Sequence, residues 1–439
     1  MNLLEALGAH IASASMAERY GVVVSFNGLV IEAHGPEARV GEVCEIALKS
    51  RVVLAQVVGI RDRHLLLMPY GDVEGLTVGA TVRASGRDLD VPVDDTLLGR
   101  VVDAFCAPLD GGGPLNPGGR YPLHAPAINP LHRADIDSAI ATGVRAIDGL
   151  LTLGRGQRVG IFAGSGVGKS TLIGMLAAQV EADVVLIAMI GERGREVGEF
   201  VRHTLGPEIM RRCVVMVATS DQPALVRIHA VHAAHAVAEY FRDQGRSVLL
   251  VLDSITRFAM AQREVGLASG EPPTFRGYTP SVFAWLPRIL ERCGKLEHGS
   301  ITAIYSVLVE GDDLNEPVTD HMRAILDGHI VLDRELAARG HYPAINVLKS
   351  VSRLVGRLLS QDELEVASNA RRTLALLEGA RDMVDMGAYQ SGVNPELDRA
   401  LVIQPALEAW LRQSGRFEVS GSKPLESLKS VLQDVTHHG

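Results

Sequence analysis

Apolar and polar positions divide the 439-residue chain into regimes of different period. Leu3, Leu4, Leu7 and Ile11 recur at helical spacing, so residues 1–20 are expected to form a short amphipathic arm. One such stripe cannot bury itself, and the arm needs either its own domain or another protein to cover it. From Gly21 to about Arg83 the pattern changes to short β-rich runs (GVVVSF, GLVIEAHG, EVCEIAL, VVLAQVVGI, HLLLMPY) separated by turn residues. Five or six strands of this length predict a small barrel, assigned to residues 21–88.

Between about Gln157 and Leu336, buried-type runs alternate with helical patterns. RVGIFA, VVLIAMI, CVVMVATS, SVLLVLDS, ITAIYSVLV and HIVLD are apolar nearly throughout, as strands of a parallel sheet covered on both faces must be. After Ser350 the pattern is largely helical to Gln413, broken at Gly387 and Pro395. Leu97–Asp135, rich in Gly and Pro, reads as a connector lying over a neighbouring surface. No internal repeat appears.

Composition narrows the picture. Apolar residues make up 47% of the chain, enough for sizeable cores, and 439 residues call for two or three of them. A formal net charge of -9 argues against a broad nucleic-acid surface. Cys44, Cys106, Cys213 and Cys293 are widely spaced, which indicates neither a zinc site nor a disulfide framework and suits a reducing cytosol. Ile173–Ile190, the most apolar stretch, is interrupted by Glu181 and Asp183 and does not resemble a membrane span. The N-terminus lacks the basic and apolar regions of a secretory leader, so a cytoplasmic location is expected.

The strongest chemical signal is AGSGVGKST, Ala163–Thr171, which follows the run RVGIFA and opens the helical pattern GKSTLIGMLAAQV. Gly164, Gly166 and Gly168 let the backbone of Gly164, Ser165, Gly166, Val167, Gly168, Lys169, Ser170 and Thr171 turn its N–H groups toward a phosphate chain. In this phosphate-binding loop Lys169 is expected to reach the β- and γ-phosphates of ATP, and Ser170 to place its hydroxyl on Mg²⁺. Ala163 stands where the strict pattern has glycine, a departure of little consequence because the later glycines make the curve.

A second Mg²⁺ ligand is sought at the end of an adjacent buried strand. Asp253 meets that description, since five apolar residues precede it in SVLLVLDS, although a helix N-cap is the plainer alternative. In GERGRE, Glu192 is the acid just past the run VVLIAMI, placed to orient an attacking water. Arg193 and Arg195 beside it would answer phosphate charge, join subunits, or simply face solvent.

Taken with GERGREV and LLLVLDSITR, the loop motif makes the chain resemble, over almost its whole length, the family of rotary ATP synthase catalytic subunits and type III export ATPases. GERGREVGEFV, the stretch from DSITRF to ILERCG, and RGHYPAINVLKSVSRL resemble the export branch in particular. The resemblance implies a RecA-like α/β P-loop core over residues 89–358, preceded by a β-barrel domain and followed by a helical domain over residues 359–439. It implies a homohexamer that hydrolyses Mg-ATP to energise protein export through the flagellar type III apparatus, on the cytoplasmic side of the inner membrane. The implied partners are a stator protein at the N-terminal arm, a central coiled-coil stalk, the export gate and chaperone–substrate complexes, with no nucleic acid.

By the same resemblance Arg353, in SVSRL, matches an arginine finger delivered to the neighbouring subunit's γ-phosphate, and Tyr342, in GHYPAIN, matches an aromatic that stacks on adenine. Arg257, one helical turn beyond Asp253, is a candidate link between nucleotide state and the subunit interface. Competing readings are an injectisome ATPase, a rotary synthase subunit, a hexameric RNA translocase and a noncatalytic regulatory subunit. The translocase requires an aromatic, basic barrel, whereas the segment before Arg83 has only Tyr20, Phe26 and Tyr70.

Other signals carry less. His229, His232 and His235 recur every three residues on a predicted helix, which rotates each about 60° from the last, so no single face gathers them for a metal. Ser165 lacks the elbow of a nucleophilic serine. Met175, Met189 and Met210 read as core filling.

Overall fold

The computed structural model describes residues 19–433 apart from 87–88, 116–117, 127, 310, 312 and 415–423. Leu3, Leu4, Leu7 and Ile11 of the predicted arm lie outside the described residues.

Six strands, β1 (Tyr20–Phe26), β2 (Ile31–His34), β3 (Val43–Ala47), β4 (Val52–Arg61), β5 (His64–Pro69) and β6 (Thr81–Ala84), close into a barrel in the order β1-β2-β5-β4-β3-β6. Alternation drives closure. Val23, Ile31, Ile46, Val57, Leu67 and Val82 point inward with their neighbours to form a core of their own, and closure leaves no free strand edge.

Part of the predicted connector proves to be strand. β7 (Asp90–Val93) and β9 (Gly119–Pro122) pair as a two-stranded ribbon, while β8 (Val101–Asp103) joins the edge of the main sheet. Two consecutive valines satisfy the open edge of a neighbouring strand, but three residues are too few to leave a periodic trace in the sequence.

The main sheet is built on β10 (Arg158–Ala163), followed by helix α1 (Lys169–Gln179), β11 (Val184–Ile190) and β12 (Cys213–Ala218). Helix α2 (Ala224–Asp243) then leads to β13 (Ser247–Asp253), helices α3 (Ile255–Ser269) and α4 (Pro280–Leu290), and strands β14 (Gly294–Lys295) and β15 (Ser300–Leu308). Helix α5 (Pro317–Ile325), β16 (Gly328–Leu332) and β17 (Ile345–Ser352) complete it. The strand order is β17-β16-β10-β15-β13-β11-β12-β8, with β14 paired to β15 outside that path. Every residue of β11, β12 and β13 is buried. Two apolar clusters explain this, one on each face of the sheet, as the unbroken apolar runs require.

Beyond Ser352 the chain forms helices α6 (Gln361–Asp385), α7 (Pro395–Leu411) and α8 (Pro424–Gln433). The predicted break is explained by local chemistry: Asn394 caps α7 through its side chain, and Pro395 occupies the first turn, where its missing N–H costs nothing. Sequence periodicity missed β17, which runs antiparallel to β16 at the sheet edge. Buried residues are interspersed along it with half-buried and exposed ones, and the run is too polar for a buried strand.

Candidate active site

β10 ends in the fully buried Ala163, and the next residues turn back on themselves with Gly166 at φ +79° and Gly168 at φ +94°. Both angles lie in the left-handed region, where glycine carries no steric penalty. Val167 is buried and anchors the loop, whereas Ser165, Gly166, Ser170 and Thr171 face outward. Gly168 caps α1 without any side-chain hydrogen bond to the helix's first amides. Those donors, at the positive end of the helix, form a ready cradle for an anion.

Sheet order decides what faces the cradle. β15 lies between β10 and β13, so Asp253 is not on the strand next to the loop strand, as the sequence reading assumed. The intervening strand supplies Ser306, whose Oγ donates to Asp253 Oδ1 at 2.6 Å from a buried position. Sequence reading missed this residue. Its one trace was a hydroxyl inside the apolar run ITAIYSVLV. Ser254, and not Asp253, caps α3, with its side chain accepting from the Arg257 N–H at 3.3 Å. Asp253 is thereby free of the capping role.

Lys169 Nζ donates to Asp253 Oδ1 and lies 3.5 Å from Glu192 Oε1. Met189 sits opposite Asp253 in the β11–β13 register, and the chain turns at Gly191 to bring Glu192 over the same spot. Burial pushes the Glu192 carboxyl above its ordinary value, an effect that Lys169 opposes and Asp253 reinforces. Gly191 has φ +70°, and a Cβ there would stand 2.9 Å from Arg257 Cβ, so Arg257 packs directly on the turn. Its Nε is buried without a hydrogen-bond partner.

The remaining predicted residues separate. Tyr342 is close: its ring lies 3.5 Å from where a Cβ on Gly168 would be, and it is 44% exposed, so one ring face is available beside the loop. Arg193 and Arg195 point into solvent and pair loosely with Glu196 and Glu199, each at 3.7 Å. Arg353 lies at the opposite end of the sheet. Its N–H donates to the Asp327 carbonyl at 3.0 Å, and the Asp327 N–H in turn donates to the carbonyl of Arg158, the first residue of β10. From there to Ala163 the strand spans about 16 Å at ~3.3 Å per residue, which puts the loop of the same chain out of reach of Arg353.

The three histidines are core residues on a helix buried nearly all round. His229 meets Tyr70 edge-on and Phe105 at a tilt, His232 meets His124 and Trp285, and His235 hydrogen-bonds the Tyr305 hydroxyl at 3.0 Å. The four cysteines are free and buried.

This arrangement of a glycine cradle, a lysine, two carboxylates and a distant cation can be set beside known proteins. The family model for the nucleotide-binding domain of the ATP synthase alpha/beta family matches residues 143–352, and the model for that family's beta-barrel domain matches residues 23–86. The chain belongs to this family. A third model, the C-terminal domain of the EscN ATPase of type III secretion, matches residues 359–430. The flagellum-specific ATP synthase of Bacillus subtilis is 52% identical, over 90% of this chain and 91% of that protein. A type 3 secretion system ATPase of Xanthomonas euvesicatoria is 46% identical, over 98% of both. The assembled ATPase EscN of enteropathogenic E. coli superposes with a TM-score of 0.89 at 43% identity, covering 94% of this chain and all of that one. EscN in complex with its central stalk EscO superposes at 0.87 and 42% identity, again over 94% of this chain. Barrel, central α/β domain and helical C-terminus therefore recur in a secretion ATPase of known structure.

Proposed function

We propose that this family member is an ATPase that energises protein export through the flagellar type III apparatus, working as a homohexamer with its catalytic sites shared between subunits. The observation that carries the reading is the contrast between Lys169, gathered with Asp253 and Glu192, and Arg353, stranded at the far end of the same sheet. A site so divided is complete only when a neighbour supplies the cation.

In this mechanism the amides of Gly164–Thr171 cradle the triphosphate, Lys169 neutralises its β/γ end, and Tyr342 supports the base by stacking. Glu192 orients the attacking water and takes its proton, and Arg353 of the adjacent protomer stabilises the charge developing on the γ-phosphate. Arg193 is assigned to the same phosphate end, reached once its loose pairing with Glu196 is exchanged. The outward-facing Ser170 hydroxyl and the Asp253 carboxylate fixed by Ser306 are hard oxygen donors that suit Mg²⁺. Bound there, Mg²⁺ would neutralise charge on the β- and γ-oxygens.

The assembled EscN and its complex with a stalk protein support self-association and a central stalk here as well. The further partners in this reading are a stator protein on the N-terminal arm, the export gate and chaperone–substrate complexes, at the cytoplasmic base of the apparatus. No described helix is long and apolar enough to cross a membrane. We further assign residues 1–20 to the arm, 21–88 to the barrel domain, 89–358 to the catalytic domain and 359–439 to the helical domain.

Mixing inactive variants tests the shared site. Lys169→Ala and Arg353→Ala are each expected to abolish hydrolysis, and their mixture to regain part of it at interfaces that join an intact loop to an intact finger. Rings that form from the mixture yet stay inactive would refute the proposal. Restoration of swimming in a flagellar-ATPase deletion strain, with no restoration of injectisome secretion, tests the flagellar assignment.

A further inference from the structure

The edge that carries Arg353 holds a second cation that the mechanism above does not use. Arg323 lies in the last turn of α5, and its backbone carbonyl accepts from Arg353 Nη2 at 3.2 Å. The Arg323 side chain is half-buried, and its Nε is fully shielded from solvent with no hydrogen-bond partner. Among the described residues no carboxylate pairs with either arginine. Asp327, an acid four residues beyond Arg323, is held by Arg158 through hydrogen bonds of 3.0 and 3.2 Å. Burial lowers the His329 imidazole from its ordinary value, and the charges of Arg323 and Arg353 add to that effect.

Arginines that are structural in this protein are matched differently. Arg158, Arg292 and Arg100 each meet a carboxylate at 3.0 Å or less. Arg353 and Arg323, neither matched to a carboxylate among the described residues and the second with a desolvated and unused Nε donor, form an incomplete arrangement within a single protomer. We propose that Arg323 is a second interfacial cation, which receives an anionic acceptor from the neighbouring protomer at the same closure that delivers Arg353. This inference rests on the shared-site reading. The anion is either the neighbour's bound triphosphate or a carboxylate on the neighbour's surface; both offer the oxygen pair that a guanidinium fork accepts.

The test follows ATP hydrolysis by the full-length protein against both ATP and protein concentration, for wild type, Arg323→Ala, Arg323→Gln and Arg323→Lys, with Arg353→Ala alongside. Binding of a fluorescent ATP analogue to dilute, unassembled R323A is expected to match wild type, because the residue lies far from its own loop. Turnover of R323A is expected to fall roughly 10- to 100-fold at ordinary protein concentration, with R323K intermediate. Mixing R323A with K169A should restore activity in trans.

If the anion is the nucleotide, the loss persists at saturating protein. If it is a surface carboxylate, saturating protein recovers the turnover while the concentration giving half-maximal activity rises. Wild-type turnover and concentration dependence in R323A and R323Q would overturn the inference. So would mixed rings that form but show no recovery, together with a lowered melting temperature, because Arg323 would then serve only its own protomer. Should R323A fail to fold, R323Q and R323K carry the same readouts. Full activity of R353A would instead remove the shared-site reading itself, an outcome distinct from loss of the Arg323 role alone.

Discussion

The two ends of the central sheet differ in how far a single chain can complete them. At the carboxyl end, Lys169, Asp253, Ser306 and Glu192 already hold one another by hydrogen bonds and ion pairs. At the amino end, Arg353 finds among the described residues only backbone carbonyls as hydrogen-bond partners, those of Arg323 and, through its N–H, Asp327. In the proposed mechanism the first end holds the triphosphate and the second supplies its cation to a neighbour. Under that proposal binding and hydrolysis are governed by different events, folding in one case and assembly in the other.

The largest expected effect breaks the comparison at its open end. Arg353→Ala should cost roughly 10³- to 10⁵-fold in turnover while leaving ATP binding intact, as measured by steady-state hydrolysis beside nucleotide titration of the dilute protein. An equal loss of binding would place Arg353 in its own chain's site. Glu192→Gln comes next, with roughly 10²- to 10⁴-fold expected in turnover and little change in KM.

Ser306→Ala sharpens the account of the closed end. It removes one hydrogen bond to a carboxylate, worth about 1.5–3 kcal/mol, so a fall of roughly 10- to 150-fold is expected if Asp253 must be held in place. Activity should recover in part at raised Mg²⁺, and a loss indifferent to Mg²⁺ would argue against the metal role of Asp253. Tyr342→Ala should raise KM for ATP about 2- to 13-fold with turnover kept, the equivalent of about 0.5–1.5 kcal/mol of ring contact. Tyr342→Phe should behave as wild type.

The smallest effect concerns pH. Because burial raises the Glu192 carboxyl above 4.5, its ionised, proton-accepting form is lost as pH falls through that higher value. The acid limb of the turnover profile should therefore lie above 4.5, measured between pH 4.5 and 8. The sign for stability is opposite. A raised carboxyl favours the protonated folded state, a contribution present at low pH and lost as pH rises through the folded value. Glu192→Gln should accordingly melt slightly higher than wild type at neutral pH.

Much of this site was legible in advance because its signals are local. The run RVGIFA, the glycines of the loop and the helix after Lys169 follow in one stretch of chain, and each fixes the conformation of the next. Asp253 and Glu192 stood out because an acid ending an apolar run has few other roles. Ser306 was hidden, since one hydroxyl in a buried strand usually has only local meaning. Arg323 was hidden as well, because an arginine on a short amphipathic helix looks like any solvated residue.

The order of apolar and polar residues thus determined most of the strands, the phosphate loop and the two carboxylates beside it, because periodicity and turn chemistry act over a few residues at a time. Only the tertiary structure decided that β15 separates the loop strand from Asp253, that Ser306 bridges the gap, and that Arg353 faces away from its own loop. Those facts depend on strand order and register, which are set by the packing of segments distant in the chain and leave no mark on the spacing of residues within any one of them.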